Sequence, residues 1–299
     1  MPSIRLTALT LLAVFTAAAC TAGPTASHAN LASAPGPLWN KTTLTIAVKI
    51  DEPGIGYIEN GDPAARTGLD IDVAGYIARH LGPRPKGIFF VDATSGSREA
   101  LITGNNPART KVDLVIASYS IDDARAAVVA FAGPYLIAGQ SVLVRKSDAS
   151  ILDDTDGYHL EMSLRNLNVC SVDGSTSAAR LIQAFGHAWA AAHLVLQAGY
   201  QDCVSKLVAG AVSAVSTDNA VLAGYLHLPQ YSGQLHLAGH TFSTEAYGVG
   251  LARNDTADRA AIDAVLRKMI ADGDWARFVR RDLGPEAGPL LTVTPAPGH

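Results

Sequence analysis

A serine-containing loop followed by an arginine comes after one apolar segment of the chain. The segment 112–117 (VDLVIA) is predicted to be a buried strand, and Ser118, Ser120 and Arg125 follow it. Backbone N–H groups and hydroxyls are free to bind a ligand in such a loop, and a guanidinium binds a carboxylate through two parallel hydrogen bonds. This combination is typical of a site for an anionic group.

Thr176 and Asp218 occupy similar places after two later strands. Thr176 follows a predicted strand at 168–172 and can donate its N–H and its hydroxyl from the start of a helix. Asp218 follows the segment VSAVST at another predicted helix start, where a carboxylate can pair with an ammonium group. The alternative for both residues is plain capping of these helices.

Two basic residues predict extra positive charge near the same crevice. Lys49 ends the first predicted strand, and Arg98 follows TSGS at the start of a short predicted helix. Together with Arg125 they outnumber the single carboxylate of the predicted site, which favours an anionic ligand. The alternatives are a solvated strand end for Lys49 and, for Arg98, a surface ion pair with Glu99 or Asp92.

Two further polar side chains complete the predicted site. Ser95 lies just before Arg98 and can add a hydroxyl to the crevice. Tyr57 lies in a loop rich in glycine and can cover a ligand, with an exposed loop tyrosine as the alternative.

The elements that must position these residues alternate between strands and helices. Strands are predicted at 43–49, 88–91, 112–117 and 140–145, and the pattern restarts with strands at 168–172, 212–216 and 247–252. Helical patterns separate them, including one in which Asp70 is expected to cap the start. The alternation predicts an α/β protein of two similar lobes, each a mainly parallel sheet flanked by helices. A ligand then lies in the crevice at the carboxyl ends of the strands.

The same pattern predicts the domain boundaries. We expect residues 40–141 and 248–285 to form the first lobe and residues 142–247 to form the second. Chain crossings near 141–145 and 246–249 would serve as the hinge. The glycine- and proline-rich residues 286–299 are expected to be a frayed tail.

Composition excludes several classes of protein. The chain has 299 residues, of which 48% are hydrophobic, so it can bury a core and is not a disordered chain. The formal net charge of −4 argues against a nucleic-acid partner. No phosphate-binding Walker loop, GxSxG or HExxH motif occurs, and His236 and His240 lie in a stretch that is not helical in pattern. We therefore predict neither a metal site nor a cofactor.

The amino terminus predicts export. Arg5 precedes an uncharged apolar run of about 14 residues, whereas a membrane-spanning helix needs roughly 20. Small residues then lead to Cys20, which resembles a bacterial lipobox, although Ala17 stands where leucine is usual. We expect residues 1–20 to be a lipoprotein signal peptide with lipidated Cys20, and residues 21–39 to be a flexible tether. The alternative is an ordinary signal peptide.

The other two cysteines predict a disulfide. Outside the cytosol an even pair is most often bridged, and Cys170 and Cys203 would close a loop of 34 residues. In the loop-entropy model such a bridge contributes roughly 3–4 kcal/mol. A zinc site is the rival hypothesis, but no CxxC or HxxxH partner lies beside either cysteine.

Six stretches of the chain, taken in order, resemble one family. They are LTIAVKIDEPGIGYIENG, GLDIDVAGYIARHLG, REALITG with VDLVIASYSIDDARAAVVAFAGPY, VCSVDGSTSAARL, LVAGAVSAVSTDNAVLAGYL and TEAYGVGLARND. Together they resemble the type II periplasmic amino-acid-binding proteins, which form bacterial solute-binding protein family 3. The KxDxPGxG run, the cysteine pair and the lipobox are similar to the glutamate-binding lipoprotein branch. Two positions depart from the pattern, because Ser213 and Asp122 stand where the family usually has aspartate and threonine.

The resemblance implies a role for each predicted site residue. It places Arg125, with the loop serines, on the α-carboxylate of an amino acid, and Thr176 beside it from the other lobe. It places Asp218 on the α-ammonium group, and Arg98 where binders of acidic amino acids tend to carry arginine.

The expected function is therefore a lipid-anchored, monomeric receptor that captures an acidic amino acid by hinge closure. The resemblance implies glutamate, with aspartate or their amides as alternatives, and delivery to an ABC permease and its ATPase outside the cytoplasm. Two other hypotheses stay open. One is a receptor for a membrane kinase, and the other is a dehydratase-type enzyme on the same fold, with Glu52 and Glu245 as its nearest acid or base candidates.

Overall fold

A computed structural model describes Pro2, residues 35–290 and residues 292–298. The predicted lipid attachment at Cys20 and most of the predicted signal peptide and tether lie outside these residues. Within the described ranges, no helix combines the length and apolar character that crossing a membrane requires.

The strands of the described residues are β1 (Thr43–Val48), β2 (Asp51–Glu52), β3 (Gly56–Ile58), β4 (Arg66–Thr67), β5 (Gly87–Asp92), β6 (Leu114–Val115), β7 (Ala130–Ala138), β8 (Gln140–Arg145), β9 (Val169–Val172), β10 (Leu194–Gln197), β11 (Ala214–Asp218), β12 (Leu235–Leu237) and β13 (Glu245–Leu251).

The α-helices are α1 (Leu69–His80), α2 (Arg98–Thr103), α3 (Asp123–Ala126), α4 (Gly157–Ser163), α5 (Thr176–Phe185), α6 (His187–His193), α7 (Tyr200–Val208), α8 (Asn219–Leu226), α9 (Thr256–Ala271), α10 (Asp274–Leu283) and α11 (Ala287–Leu290). Short 3-10 helices lie at Glu59–Gly61, Ser95–Ser97, Lys146–Ile151, Leu164–Asn166, Pro229–Tyr231 and Gly284–Glu286.

The first sheet has five strands in the order β5–β1–β6–β13–β7. Strand β1 is parallel to β5 and β6, as the alternation of strands and helices predicts. Strand β13 is antiparallel to β6 and β7, because it enters from the second sheet in the opposite direction. The carboxyl ends of β1 and β6 therefore meet at the same edge, where the loop after β6 begins.

The second sheet repeats this arrangement in the order β10–β9–β11–β8–β12. Strand β9 is parallel to β10 and β11, whereas β8 is antiparallel to β11 and β12. The chain passes between the sheets at Gly139 and across residues 238–244. Both crossings come a few residues earlier than we expected, because β8 and β13 are paired strands and a crossing needs backbone outside a ladder.

Helix α1 shows how the sequence forms the first lobe. Its buried face carries Leu69, Val73 and Ile77 at helical spacing, and Gly82 follows the helix with a positive φ of 89°. The helix begins one residue before Asp70, and Gly68 is its N-cap. The expectation that Asp70 caps this helix is wrong, because its carboxylate turns into the protein and is fully buried.

The predicted disulfide is present and joins the second sheet to a helix. Cys170 of β9 and Cys203 of α7 are bonded, with their Cα atoms 5.4 Å apart. Both cysteines are fully buried.

Two terminal stretches pack more closely than the sequence predicts. Leu38, within the expected tether, is buried, and its N–H donates to the Asp258 carboxylate at 2.9 Å. Residues 292–298, within the expected frayed tail, also contact the body. Gly298 N–H donates to the Gly133 carbonyl at 2.9 Å, and Arg267 donates to the Pro297 carbonyl. These hydrogen bonds hold segments whose composition by itself favours disorder.

Candidate functional site

A small pocket lies where residues of the first sheet's loops face residues of the second sheet's loops. Its cavity volume is about 10 Å³, enough for about one water molecule, so the facing loops lie close together. It is lined by Ser95, Arg98, Ser118, Ser120, Ser175, Thr176, Ser177, Tyr200, Thr217, Asp218 and Val221. Six of the nine predicted ligand-binding residues are in this lining, and they come from both sheets. A larger and more aliphatic cavity of about 360 Å³, lined by residues of α8, β12 and α11, contains none of the predicted residues.

Arg98 lines the pocket as the first residue of α2 and is buried. Its Nε donates to the Ser95 carbonyl at 3.0 Å, and one terminal nitrogen donates to the carbonyls of Ala117 and Ser118, each at 3.1 Å. Burial, followed by the positive charge of Arg125, lowers the pKa of this guanidinium from its ordinary value. Arg98 is therefore a fixed, desolvated cation beside the pocket.

The surface ion pair considered for Arg98 does not form. Asp92 pairs with Arg66 at 2.6 Å, and a Glu99 oxygen accepts a hydrogen bond from the Tyr119 hydroxyl at 2.7 Å. The reason is geometric, because α2 directs the Arg98 side chain inward onto the loop carbonyls.

Arg125 lies behind the pocket, on α3. One terminal nitrogen donates to the Ser120 carbonyl at 2.8 Å, and Nε lies 3.2 Å from an Asp122 oxygen. Asp122, which departs from the family pattern, accepts the Arg125 N–H at 2.9 Å and caps the helix. The aspartate at this position therefore supplies the helix cap and also orients the arginine.

The Gly174 carbonyl oxygen receives hydrogen bonds from both guanidiniums. The distances are 3.1 Å from Arg125 and 3.3 Å from Arg98. Gly174 belongs to the turn after β9, so this contact bridges the two sheets. A Cβ atom at Gly174 would lie 2.6 Å from the Gly96 Cα atom, so only glycine allows this approach. Two cations thus converge on one carbonyl oxygen at the rim of the pocket.

Thr176 faces Ser120 across the pocket, and their hydroxyl oxygens are 3.5 Å apart. The Thr176 hydroxyl also donates to Glu245 at 3.2 Å. Thr176 is the first residue of α5 but does not cap it, because Ser175 accepts the Ala178 N–H at 3.0 Å as the N-cap. The capping alternative for Thr176 is therefore wrong, and its side chain is directed to the pocket.

Asp218 is a buried carboxylate in the pocket lining. Its Oδ2 accepts the Tyr247 hydroxyl at 2.6 Å, whereas Oδ1 has no hydrogen-bond partner among the described residues. Asp218 precedes α8 but makes no side-chain cap, so the capping alternative is wrong here too. Burial, followed by the negative charge of Glu245, raises the pKa of this carboxyl to about 7, although the Tyr247 hydrogen bond lowers it. The free oxygen fits a cationic group of a ligand.

Ser118 adopts a left-handed backbone conformation, with a φ of +44°. Its N–H donates to the Asp70 carboxylate at 2.8 Å, and its side-chain hydroxyl donates to the Ala117 carbonyl at 2.8 Å. Burial raises the pKa of Asp70 to about 7, and hydrogen bonds from Tyr135 and Ser118 oppose this shift.

Three of the predicted residues do not line the pocket: Arg125, Lys49 and Tyr57. Lys49 is not a solvated strand end, because its Nζ is buried 2.9 Å from a Glu52 oxygen. Burial lowers the pKa of Lys49, but Glu52 and Asp51 outweigh that effect and the net shift is upward. Tyr57 pairs with Asp51 in the small sheet of β2, β3 and β4.

The net charge of the site is therefore closer to zero than the sequence indicates. The three cations Lys49, Arg98 and Arg125 were expected to face one carboxylate. Glu52 neutralises Lys49 from a fully buried position, and Asp122 lies against Arg125. Each acidic partner is only three residues from its cation in the chain, but the sequence pattern did not identify these pairs, which depend on how the folded chain directs and buries the side chains.

Sequence reasoning missed five residues of the pocket lining, one of which is Val221 of α8. Ser175, Ser177 and Thr217 are neighbours of predicted residues, so their positions next to Thr176 and Asp218 were a usable signal. Tyr200 comes from α7, far from any predicted site residue in the chain, and no local pattern identifies it. Among the residues in ranges 35–290 and 292–298, no group of three or more His, Cys, Asp or Glu side chains could hold a metal ion.

Residues 44–284 match the family model of the bacterial extracellular solute-binding proteins, family 3. The chain belongs to this family. Its fold is that of the type II periplasmic amino-acid-binding proteins, which confirms the predicted fold class. Members of family 3 bind solutes outside the cytoplasm, and the pocket between the sheets fits this role.

The family includes relatives of known ligand class. The chain is 34% identical over 263 residues to the glutamate-binding protein GluB of Corynebacterium efficiens. The aligned region covers 84% of this chain and 82% of that protein. It is 27% identical to the glutamine-binding protein GlnH of an ABC transporter in Bacillus subtilis, covering 80% of each chain. Among solved structures, an ancestral arginine-binding protein bound to arginine has a TM-score of 0.66 at 27% identity, covering 82% of this chain and 99% of that one.

Proposed function

We propose that this protein is the substrate-binding subunit of an ABC importer and that its ligand is an acidic amino acid. Glutamate is the first choice, with aspartate and the two amides as alternatives. The names of relatives support this choice, since a glutamate-binding and a glutamine-binding protein share most of their length with this chain.

The observation that carries the proposal is the free Oδ1 atom of Asp218. A buried carboxylate oxygen without a hydrogen-bond partner is costly, and an ammonium group in the pocket would satisfy it. The Tyr247 hydroxyl holds the other oxygen, so the carboxylate is already oriented. This supports Asp218 as the acceptor for the α-ammonium group.

The α-carboxylate has its donors on the opposite side of the pocket. The Ser120 and Thr176 hydroxyls converge there, and the two guanidiniums lie behind them on the Gly174 carbonyl. A carboxylate is a stronger acceptor than a carbonyl, so it competes well for these charged donors. Arg125 then holds the α-carboxylate, as the family resemblance implies.

Arg98 is the best candidate to select the ligand side chain, because it lines the pocket and carries a fixed positive charge. Ser95 lies next to it in the lining. Lys49 adds less than we expected, since Glu52 neutralises it. We therefore expect glutamate to bind more tightly than glutamine, with a smaller preference than three unopposed cations would give.

Ligand binding favours the closed arrangement, because a bound amino acid contacts residues of both sheets. The crossings at Gly139 and 238–244 act as the hinge. The closed protein docks on a permease with its ATPase, and lipidated Cys20 holds it at the outer face of the membrane as a monomer. Detergent-phase partitioning of wild type and Cys20→Ala tests the anchor: only the wild type should enter the detergent phase.

The protein binds its ligand without making or breaking a bond. Glu52 and Glu245, the acid or base candidates of the enzyme hypothesis, are both absent from the pocket lining. Glu52 forms an ion pair with Lys49, and Glu245 accepts hydrogen bonds from Thr176 and Ser243. Recovery of the unchanged ligand after prolonged incubation, checked by mass spectrometry, separates binding from turnover.

Titration calorimetry against all twenty amino acids tests the proposal. We expect glutamate to bind most tightly, Arg125→Ala to abolish all binding, and Arg98→Ala to weaken glutamate more than glutamine. Asp218→Asn keeps the shape of the side chain but removes its charge, and it should weaken every amino acid. A wild-type protein that binds neither acidic amino acids nor their amides contradicts the proposal.

A further inference from the structure

We propose that Asp70 is a positioning residue for ligand binding, whose buried carboxylate holds the Ser118 amide and so fixes the binding loop. The binding loop is defined as residues 117–120, directly after β6. The inference rests on the proposed function, because it assigns Asp70 to the same pocket.

Burial of the Asp70 carboxylate costs free energy that an apolar residue at the same position would not cost. The carboxylate is fully buried in the first turn of α1, next to the apolar residues Leu69 and Val73. A carboxylate placed there loses its hydration, which is favourable only if hydrogen bonds replace the water. It does not cap α1, since Gly68 is the N-cap and no side-chain cap is formed. The first turn of a helix favours an acidic residue, but Asp72 of the same turn, which is only partly buried, shows that this needs no fully buried carboxylate.

The hydrogen bonds of Asp70 explain what the carboxylate does. Oδ2 accepts the Ser118 N–H at 2.8 Å, and Oδ1 accepts the Tyr135 hydroxyl at 2.6 Å. Tyr135 lies on β7 and is itself fully buried, so it fixes the carboxylate from a rigid element. Both oxygens are satisfied, and one of them is directed at the binding loop.

Ser118 needs such a partner because its backbone is in the left-handed region. A φ of +44° is unfavourable for any residue with a Cβ atom, and glycine is the usual occupant. Its N–H bond to a carboxylate is charge-assisted and therefore stronger than a bond to a neutral acceptor. Asp70 thus offsets the preference of Ser118 for another conformation.

The conformation of Ser118 also helps to hold Arg98 in place. The Ser118 carbonyl accepts a hydrogen bond from Arg98 at 3.1 Å, and both residues line the pocket. If the loop relaxes, Arg98 loses one of its anchors and the serine leaves its place at the pocket. Asp70 acts on the ligand through this loop and does not line the pocket itself.

The test compares Asp70→Ala with a matched control, Asp258→Ala. Asp258 is also a fully buried aspartate that accepts one backbone N–H, from Leu38 at 2.9 Å, but it is not in the pocket lining. Both variants should unfold at lower temperature. Only Asp70→Ala should weaken glutamate binding, by about tenfold, which corresponds to about 1.4 kcal/mol.

Two further variants separate positioning from general stability. Asp70→Asn keeps an oxygen acceptor for the Ser118 N–H, so it should retain most of the affinity. In a Ser118→Gly background, Asp70→Ala should lower affinity less than it does in wild type, because glycine adopts the left-handed conformation without strain. This comparison cancels any effect of losing the Ser118 side chain itself. Affinity of Asp70→Ala within twofold of wild type, or an equal loss in both backgrounds, overturns the proposal.

Amide hydrogen exchange of the ligand-free protein gives a readout that does not need a ligand. The Ser118 amide should exchange at least tenfold faster in Asp70→Ala than in wild type or Asp258→Ala. If Asp70→Ala does not fold, the same measurement on Asp70→Asn should still show faster exchange, since a neutral amide is a weaker acceptor. Unchanged exchange overturns this inference, whereas a wild type that binds no amino acid overturns only the proposed function.

Discussion

Tyr247 of β13 donates a 2.6 Å hydrogen bond to Asp218 at the end of β11, and this bond links the two sheets beside the pocket. Both residues are buried, so the bond lies in a region of low polarity where it is strong. It occupies Oδ2 and leaves Oδ1 available. The tyrosine thereby orients the carboxylate and favours its charged form, although burial and Glu245 raise the pKa of this carboxyl more strongly.

Removing the Tyr247 hydroxyl should weaken amino-acid binding. In Tyr247→Phe the carboxyl loses a hydrogen bond that lowers its pKa, so more of it is protonated at pH 7. We expect affinity for glutamate to fall about tenfold to a hundredfold, because a hydrogen bond to a charged group contributes about 1.5–3 kcal/mol. Tyr76→Phe is the control, because Tyr76 donates to Asp272 and does not line the pocket. Equal affinities of the two variants in calorimetry would contradict this role.

Binding should depend on pH near neutrality. The Asp218 carboxyl has a pKa raised to about 7 and must be ionised to pair with an ammonium group. As pH falls from 8 to 6 the ligand must displace a proton, so Kd should rise by up to about tenfold. Burial is the main cause of the raised pKa, Glu245 and Glu52 add to it, and Tyr247 and Arg125 oppose it.

The matched variant for the pH dependence is Asp218→Asn, which has no proton to release. Its affinity should be lower than that of wild type and nearly constant between pH 6 and 8. Glutamate itself does not titrate in this range, since its side-chain carboxyl has a pKa of about 4.3. A variant with the full pH dependence of wild type would assign the titration to another group, such as Asp70.

Closure should be sensitive to a single methyl group at Gly174. In Gly174→Ala the Cβ atom would lie 2.6 Å from the Gly96 Cα atom in the facing loop, so the sheets cannot approach as closely. Gly210→Ala is the control, because Gly210 also has a positive φ, of +77°, but open space around it. Thermal unfolding should show a similar loss of stability in both variants. Only Gly174→Ala should lose glutamate affinity, by at least about tenfold, as a clash across the closed pocket predicts.

The Lys49–Glu52 pair should affect stability more than binding. Both side chains are fully buried, and Nζ lies 2.9 Å from Oε1. Lys49→Met leaves the glutamate charge buried and unpaired, which should lower the free energy of unfolding by about 3–5 kcal/mol. Lys49→Met combined with Glu52→Gln should recover most of that loss in urea denaturation. A double variant no more stable than the single one would show that the pair is not the cause.

The Cys170–Cys203 disulfide should stabilise the second lobe. It closes a 34-residue loop between β9 and α7, and its removal should cost about 2–5 kcal/mol. The Cys170→Ser and Cys203→Ser double variant should therefore unfold several degrees lower than wild type. Added reductant should lower the melting temperature of wild type toward that of the variant, and it should leave the variant unchanged.

Local patterns in the sequence predicted the positions of many elements but not their partners. The period of α1 and the apolar run of β6 were enough to place both elements. Strand β7 was missed because its AFAGPYLIA sequence contains a Gly-Pro break, and β12 was missed because it has only three residues. Pairing with β13 and β8 stabilises these two strands, and such pairing partners are distant in the chain.

The sequence by itself determined the family, the disulfide and the types of residue at the site. Strand ends followed by Ser118, Thr176 and Asp218 identified the pocket, because the carboxyl ends of parallel strands must meet. The tertiary structure decided the charges. It buried Glu52 against Lys49, turned Asp70 from the helix start onto Ser118, and left one oxygen of Asp218 free. Lys49 and Glu52 are only three residues apart, but their burial depends on the whole fold, and Asp70 and Ser118 are distant in the chain. Only the folded arrangement therefore fixes which charges are neutralised and which can bind a ligand.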